Sequence, residues 1–286
     1  MGVSYDILDS DFDKKLSTAY QLSILAGMDS LVFFVFDAAS GNALQLRSIP
    51  YVNAPASSAD LDQELRAAFA RESLFSYLFR RVRVTLPVGA SLLVPSRLYN
   101  ESEKEIYLRE LVNHQGADGT IRHDEIPEVG SQLVYFSYPD LIKTLKRQFP
   151  TAHVVHPATP FLLGAKQMLE DEYEHTLFAH FSKDVVYLAL FEKKNLLFYN
   201  AFPYSTAGDV LYFTLLSLDQ FGLDPAKTPV NLSGRLLEDA EIFRMLSRYL
   251  GQLRFIPAPP FLKFGRRFNE VQPYFFFDLY ALALCK

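Results

Sequence analysis

The residues whose types and spacing suggest chemistry are mainly histidines beside acids. His153 and His156 stand three apart, but on a strand the period of two turns such a pair to opposite faces and argues against joint metal ligation. His175 and His180 lie near Glu170, Asp171, Glu172 and Glu174, a donor set of the hard-metal kind, which an acidic helix end with solvated side chains explains as well. His123-Asp124-Glu125 joins an imidazole to carboxylates suited to proton transfer, in a stretch that reads as a loop with no nucleophile beside it. The chain has no Walker A sequence, no G-x-G-x-x-G fingerprint and no G-x-S-x-G elbow. No catalytic residue and no metal ligand set are therefore expected.

Binding surfaces are the remaining candidates. Lys263, Arg266 and Arg267 interleave with Leu262, Phe264 and Phe268 downstream of the Pro257 to Pro260 stretch, and Arg80-Arg81-Val82-Arg83 alternates charge along a strand edge. Cations beside aromatics suit phosphates and stacked bases, while charge on a strand edge also guards against edge-to-edge pairing. The chain of 286 residues has net charge -5, which argues against a general nucleic-acid binder. Its 25 Phe and 16 Tyr, with no Trp, are expected mostly in the core, with Tyr199, Phe202, Tyr204 and Tyr212 as candidates to line a cleft between halves. The single cysteine, Cys285, excludes an intramolecular disulfide. No basic leader precedes an apolar stretch, and no apolar run reaches the ~20 residues of a membrane span. A cytoplasmic protein with no membrane association is expected; oligomeric state is not legible.

The elements that must position these residues repeat. Tyr20 to Gly27, Ser30 to Asp37 and Ala43 to Val52 read as a three-stranded meander, and Thr176 to Phe181, Val185 to Phe191 and Leu196 to Phe202 read as a second. Adding 155 to Leu22, Asp29, Phe36 and Asp37 lands on Leu177, Asp184, Phe191 and Glu192; with a second turn two residues shorter, Pro50-Tyr51 lands on Pro203-Tyr204. Each meander precedes a helix: Leu61 to Phe79 capped by Asp60, and Ala207 to Phe221 capped by Ser205 or Thr206. A strand follows in each half, Val82 to Leu86 continuing into Ser91 to Val94, and Pro229 to Leu232. Next come second helices, Glu101 to Asn113 and Leu237 to Leu250. Between the halves the sequence predicts a polar loop from His114 to Gly130 with a turn at Gly116 to Gly119, a strand Gln132 to Tyr138, a helix Pro139 to Gln148, a strand Ala152 to His156 and a helix Phe161 to Tyr173. The order β-β-β-α-β-α, twice, gives two α/β lobes with mixed sheets, near 1 to 174 and 175 to 286.

Leu196-Leu197-Phe198-Tyr199-Asn200-Ala201-Phe202-Pro203-Tyr204, Asp209-Val210-Leu211-Tyr212, Asn231-Leu232-Ser233-Gly234 and Leu93-Val94-Pro95 resemble a bacterial domain-of-unknown-function family, seen mainly in Bacteroidetes, with an actin-like ATPase fold. The duplicated unit is similar to that superfamily, which includes the pilus-assembly ATPases. Gln272 to Leu284 resembles its last helix, which returns to the first lobe.

The resemblance implies a nucleotide site whose counterparts here are Gly27, Asp29, Asp184 and Gly234, with ATP and magnesium as the cofactors of an active member. The second phosphate turn, Phe181-Ser182-Lys183-Asp184, has no glycine, and Ser23 to Ala26 and Ala179 to Phe181 offer no acid for magnesium. A non-hydrolysing scaffold or protein-binding module without cofactor is therefore expected, the alternative being a nucleotide-binding ATPase or kinase with an atypical phosphate site. The expected partner is another protein, contacted through Tyr199, Tyr204 or Tyr212, with RNA at Lys263, Arg266 and Arg267 as the alternative. The duplication predicts that both meanders share one strand register, which a structure tests directly.

Overall fold

The computed structural model describes residues 5–112 and 119–286; the expected turn at Gly116 to Gly119 lies outside them up to residue 118. Two compact units divide the chain. The first comprises Met1–Pro160, Pro260–Glu270 and Leu279–Lys286, and the second Phe161–Pro259 and Val271–Asp278. Relative to lobes of 1 to 174 and 175 to 286, residues 161–174 go with the second unit and the C-terminal chain alternates between the two.

In the first unit β1 (Asp6–Leu8), β2 (Tyr20–Ala26), β3 (Ser30–Asp37) and β4 (Ala43–Pro50) precede helix α1 (Ser58–Arg71) and strand β5 (Arg81–Thr85). Helix α1 starts earlier than its apolar stripe suggests, because Ser57 rather than Asp60 is the cap. Its Oγ accepts the Asp60 N–H at 3.2 Å, while the Asp60 carboxylate accepts the Ala56 N–H at 3.2 Å. It also ends earlier, at Glu72, whose carboxylate takes Arg47 at 2.6 Å and the Leu74 N–H at 3.2 Å and turns the chain into a short 3₁₀ segment.

The strand expected to continue from Val82 to Val94 is instead two strands in different sheets. After β5 the chain leaves the main sheet at Pro87, the Gly89 N–H already donates to the Phe136 carbonyl at 2.9 Å, and β6 (Ser91–Pro95), α2 (Lys104–Val112), β7 (Thr120–Ile126) and β8 (Ser131–Ser137) form an insertion with its own sheet, ordered β6-β8-β7. The expected polar loop is thus strand β7 over much of its length. Helix α3 (Pro139–Gln148) and strand β9 (His153–Val155) return to the main sheet, ordered β1-β4-β3-β2-β5-β9.

Helix α4 (Ala158–Gln167) leads into the second unit, with β10 (His175–Phe181), β11 (Val185–Glu192), β12 (Asn195–Pro203), α5 (Ala207–Asp219), β13 (Pro229–Gly234), α6 (Glu241–Tyr249) and β14 (Gln252–Phe255). Its sheet runs β12-β11-β10-β13-β14. Thr206 and Asp209 cap α5 reciprocally. The chain closes with α7 (Phe277–Ala281), far shorter than the helix expected from Gln272 to Leu284 because Gln272 to Phe276 is not helical and Leu282–Leu284 tightens into a 3₁₀ turn.

The duplication is explicit in the backbone. Leu22 pairs with Val35 and Leu177 with Leu190, so both partners shift by 155 (22 + 155 = 177; 35 + 155 = 190). Ser30 faces Pro50 and Val185 faces Pro203, shifts of 155 and 153, matching the shorter second turn. Even the bulge recurs, between Val35 and Phe36 in one unit and between Leu190 and Phe191 in the other. Since α1 packs on α3 and α5 on α6, the second helix of the first repeat is α3 and not α2.

Leu22, Ile24, Val84 and Leu65 of the first core are matched by Leu177, Ala179, Leu232 and Val210 of the second. Phe75 sits at the base of the first core, 2% exposed, with the rings of Phe33, Phe69 and Phe149 at 5.2, 5.3 and 5.8 Å, all edge-on. Changing Phe75 to Ala leaves a cavity that these rings cannot close, and is expected to lower unfolding stability by about 3–5 kcal/mol in denaturant titration.

Candidate functional site

Both hairpins at the ends of the central strands are two-residue turns. The Gly27 N–H donates to the Ser30 carbonyl at 2.9 Å and the Ser182 N–H to the Val185 carbonyl at 2.9 Å, leaving Met28-Asp29 and Lys183-Asp184 as the tips. The Tyr51 N–H donates to the Asp29 carbonyl at 3.4 Å, and the Tyr204 N–H to that of Asp184 at 3.0 Å. The Pro-Tyr pairs that align in the sequence therefore make the same backbone bond in each unit. Asp29 and Asp184 are exposed at these tips, and the Asp29 carboxylate accepts the Ser30 hydroxyl at 3.1 Å. Lys193 is the one non-glycine residue with positive φ among the described residues, so neither tip alternates right- and left-handed conformations as an anion nest does.

Gly234 is a conformational necessity. Its φ is +85°, and a Cβ there would collide with the Phe181 carbonyl beside it in parallel register. Its N–H donates to the Tyr274 carbonyl at 2.8 Å, and the Arg235 N–H to that of Phe181 at 2.7 Å. Asp184 and Gly234 thus both belong to the second unit, whereas Gly27 and Asp29 belong to the first.

The tyrosines hold different positions. The Tyr204 hydroxyl lies 3.2 Å from the carbonyls of Ser182 and Lys183, and its ring stands edge-on to Phe181, so it braces the second hairpin. The Tyr199 hydroxyl is buried without a hydrogen-bond partner, and burial pushes its pKa well above the usual value. Tyr212 is 60% exposed on α5. Lys263, Arg266 and Arg267 are exposed, while Phe264 and Phe268 turn inward against Tyr280 and Phe34. Lys263 is pinned by its backbone, its N–H to the Gly41 carbonyl at 2.8 Å and its carbonyl to the Ala43 N–H at 2.9 Å.

The histidines separate. His175 and His180 are at opposite ends of β10, about 16 Å apart at ~3.3 Å per residue. Two of the four acids near them have cationic partners: Glu170 meets Arg254 at 2.9 Å and Asp171 meets Lys194 at 3.5 Å, and Arg254 lies over the Tyr173 ring. Among the described residues no three His, Cys, Asp or Glu are placed to hold a metal. His180 belongs to a buried chain that the sequence did not suggest, because its partners are far apart in the chain. Its Nδ1 is 3.0 Å from Ser233 Oγ and its Nε2 3.5 Å from Asp278 Oδ2, with the Phe161 ring stacked on the imidazole. Ser233 is 1% exposed and His180 3%, so this arrangement ties the C-terminal segment to β10 and β13 and offers no nucleophile to solvent.

His123-Asp124-Glu125 lies on β7 and not in a loop, with alternate faces. His123 meets Glu101 at 3.2 Å, Glu125 is exposed, and Asp124 is buried. The Asp124 carboxylate accepts the Tyr135 hydroxyl at 3.0 Å, the His156 N–H at 2.7 Å and the Thr159 hydroxyl at 2.6 Å, and burial still raises its pKa. This carboxylate ties the inserted sheet to the end of β9 and the start of α4. His156 accepts the Ala158 N–H on Nδ1 at 2.9 Å, and complete burial lowers its pKa to about 3.

Together the two mixed sheets, the shared register and the hairpins at the ends of the central strands define a protein of actin-like ATPase fold. The chain belongs to the family of proteins of unknown function DUF3822, whose model matches residues 9–253. A solved Bacteroides thetaiotaomicron protein with actin-like ATPase fold and unknown function matches with a TM-score of 0.78 and 21% identity, over 96% of this chain and 99% of that one. A chain of the PilM–PilN type IV pilus biogenesis complex matches at 0.57 and 16%, over 92% and 97%. The ethanolamine utilization protein EutJ from Carboxydothermus hydrogenoformans matches at 0.52 and 10%, over 98% and 93%. No curated protein matches.

Gly234→Ala is expected to cost roughly 3 kcal/mol of stability, read as a shifted denaturant midpoint. His156 supplies a pH test. The unfolded chain protonates this residue below about pH 6.5 while the folded chain resists until about 3, so stability falls as pH drops through that window, by up to ~1.4 kcal/mol per unit. His156→Asn keeps an acceptor for the Ala158 N–H, and its stability should decline less steeply between pH 6 and 4 than the wild type's.

Proposed function

We propose that this protein is a non-hydrolysing member of its fold that works as a protein-binding module. The observation that carries the reading is the form of the two hairpin tips. Stabilising a transferred phosphoryl group needs several donors already aimed at its developing charge. Two-residue tips without a left-handed residue aim few, and the Gly234 N–H is already taken by Tyr274. Neither β2 nor the Ala179-His180-Phe181 end of β10 carries an acid for magnesium.

Protein binding is supported by a stripe on α5, where Tyr212 and Leu216, one turn apart, are 60% and 44% exposed. The similar pilus protein is described in a complex with a protein partner. The partner expected here presents an apolar face to that stripe. No helix among the described residues is long and apolar enough to cross a membrane.

With ATP and magnesium, the purified protein is expected to show no turnover approaching ~1 per second, and isothermal titration no saturable ATP or ADP binding that depends on Asp29 or Asp184. Turnover that disappears in Asp29→Ala or Asp184→Ala would instead establish the atypical ATPase. For the partner, Tyr212→Glu with Leu216→Glu should abolish a capture that survives high salt. Loss of a salt-sensitive RNA interaction on changing Lys263, Arg266 and Arg267 together to Ala would point to the RNA alternative.

A further inference from the structure

The first unit holds a pocket of about 370 Å³ at the start of β5 and β9, lined by Arg80, Arg81, Arg83, Thr151, His153 and Lys286, with no Asp or Glu side chain in its wall. It is remote from the hairpin tip. Gln21 of β2 pairs with Arg81, and Gly27 lies six residues further along, about 20 Å at ~3.3 Å per residue.

Arg83 is the informative residue. It is 5% exposed, and the hydrogen bond of its guanidinium goes to the neutral amide oxygen of Gln21. No carboxylate among the described residues forms an ion pair with it. A buried charge is ordinarily paired, since leaving it unpaired costs several kcal/mol. His153 faces Arg83 directly in the parallel register, on the same side of the sheet. Burial disfavours its protonation; Asp124 pulls the other way, and Arg83 and further cations add smaller effects on the side of burial. Arg81 is two residues from Arg83 and shares that side. The acids nearby are engaged or peripheral: Glu128 holds Lys286 at 2.9 Å, and Asp37 lies in electrostatic range of Arg80.

Like charges placed side by side on a sheet destabilise it, and an anion seated among them removes that cost. Guanidinium groups match phosphate oxygens two at a time. The volume is at the small end of ligand pockets. We propose that this pocket binds a small soluble phosphorylated ligand, a phosphomonoester or diphosphate, with the Arg81 and Arg83 guanidiniums holding the phosphate and Thr151, His153 and Lys286 at the rim.

The test uses the full chain, with inorganic phosphate, pyrophosphate and AMP as probes in isothermal titration and thermal melting, against sodium chloride of matched ionic strength. At least one phosphate is expected to bind saturably with a dissociation constant below about 1 mM and to raise the melting midpoint. Arg81→Ala with His153→Ala, neither part of the hydrophobic core, should weaken that binding at least tenfold while leaving the ligand-free midpoint unchanged or higher, because the crowding of the two guanidiniums is relieved. Arg83→Lys keeps the charge without the fork and should also lose at least tenfold; Arg83→Gln should abolish binding. If no phosphate binds saturably up to 10 mM, or if the double variant binds as the wild type does, the proposal fails. It fails as well if a single-stranded oligonucleotide binds through these residues while the small phosphates do not.

Discussion

Each of the two mixed sheets depends on a central strand paired antiparallel on one side and parallel on the other, β2 between β3 and β5, and β10 between β11 and β13. Such a strand has no open edge and must be covered on both faces. One face of each meets the helices through Leu22 and Ile24, or Leu177 and Ala179. The other face carries polar groups, Gln21 and Ser23 in the first unit and His180 in the second, whose burial demands partners. The C-terminal chain supplies much of that cover. Phe268 and Tyr280 pack on Phe34 in the first unit, and Asp278 approaches His180 in the second. The alternation of the last 27 residues between units follows from two sheets that each lack a finished face.

The same constraint explains why backbone and side chains diverge between the repeats. Hydrogen-bond register is set by strand pairing, so it is duplicated down to the bulge and to the Tyr N–H that meets each tip carbonyl. The side chains at the tips carry no such duty. Gly27-Met28-Asp29 and Ser182-Lys183-Asp184 share only the terminal acid, a residue type that suits tight turns whatever else it does. Retained aspartates at a fold's customary ligand positions are therefore weak evidence for a ligand when turn geometry alone favours them.

The meanders were legible because alternation, β-branched and aromatic content and the Ser40-Gly41-Asn42 turn all agree there, and α3 was legible to the residue from Pro139 and its apolar spacing. Strand β7 was not. Arg122, His123, Asp124 and Glu125 look solvated in sequence, and only Tyr135, His156 and Thr159, brought in by other elements, make a buried carboxylate there tenable. The inserted sheet was concealed for a related reason: β5 and β6 are both good strands, and periodicity does not say which sheet a strand joins. Gly234 entered the sequence reading only as the counterpart, by resemblance, of a nucleotide-site glycine, because the approach of Phe181 that requires a glycine there depends on parallel pairing across half the second unit.

Net charge weighed against an anionic partner in the sequence, and the basic pocket shows why that inference is confined to long range. A charge of -5 spread over 286 residues governs solubility and the distant field. Within the ~8 Å over which salt leaves charges unscreened, only local neighbours count. Adjacent strands are ~4.8 Å apart, so Arg83, paired with His153 across β5 and β9, is close enough to disfavour protonation of that imidazole whatever the net charge of the chain. Arg80-Arg81-Val82-Arg83 reads as a charged edge in sequence, yet β5 is covered by β9, and Arg83 is carried inside. An edge-guarding role accounts for exposed Arg80 and Arg81; it gives no reason for a buried guanidinium that hydrogen-bonds an amide and forms no ion pair among the described residues, and that residue makes the pocket chemically distinct from a solvated basic rim.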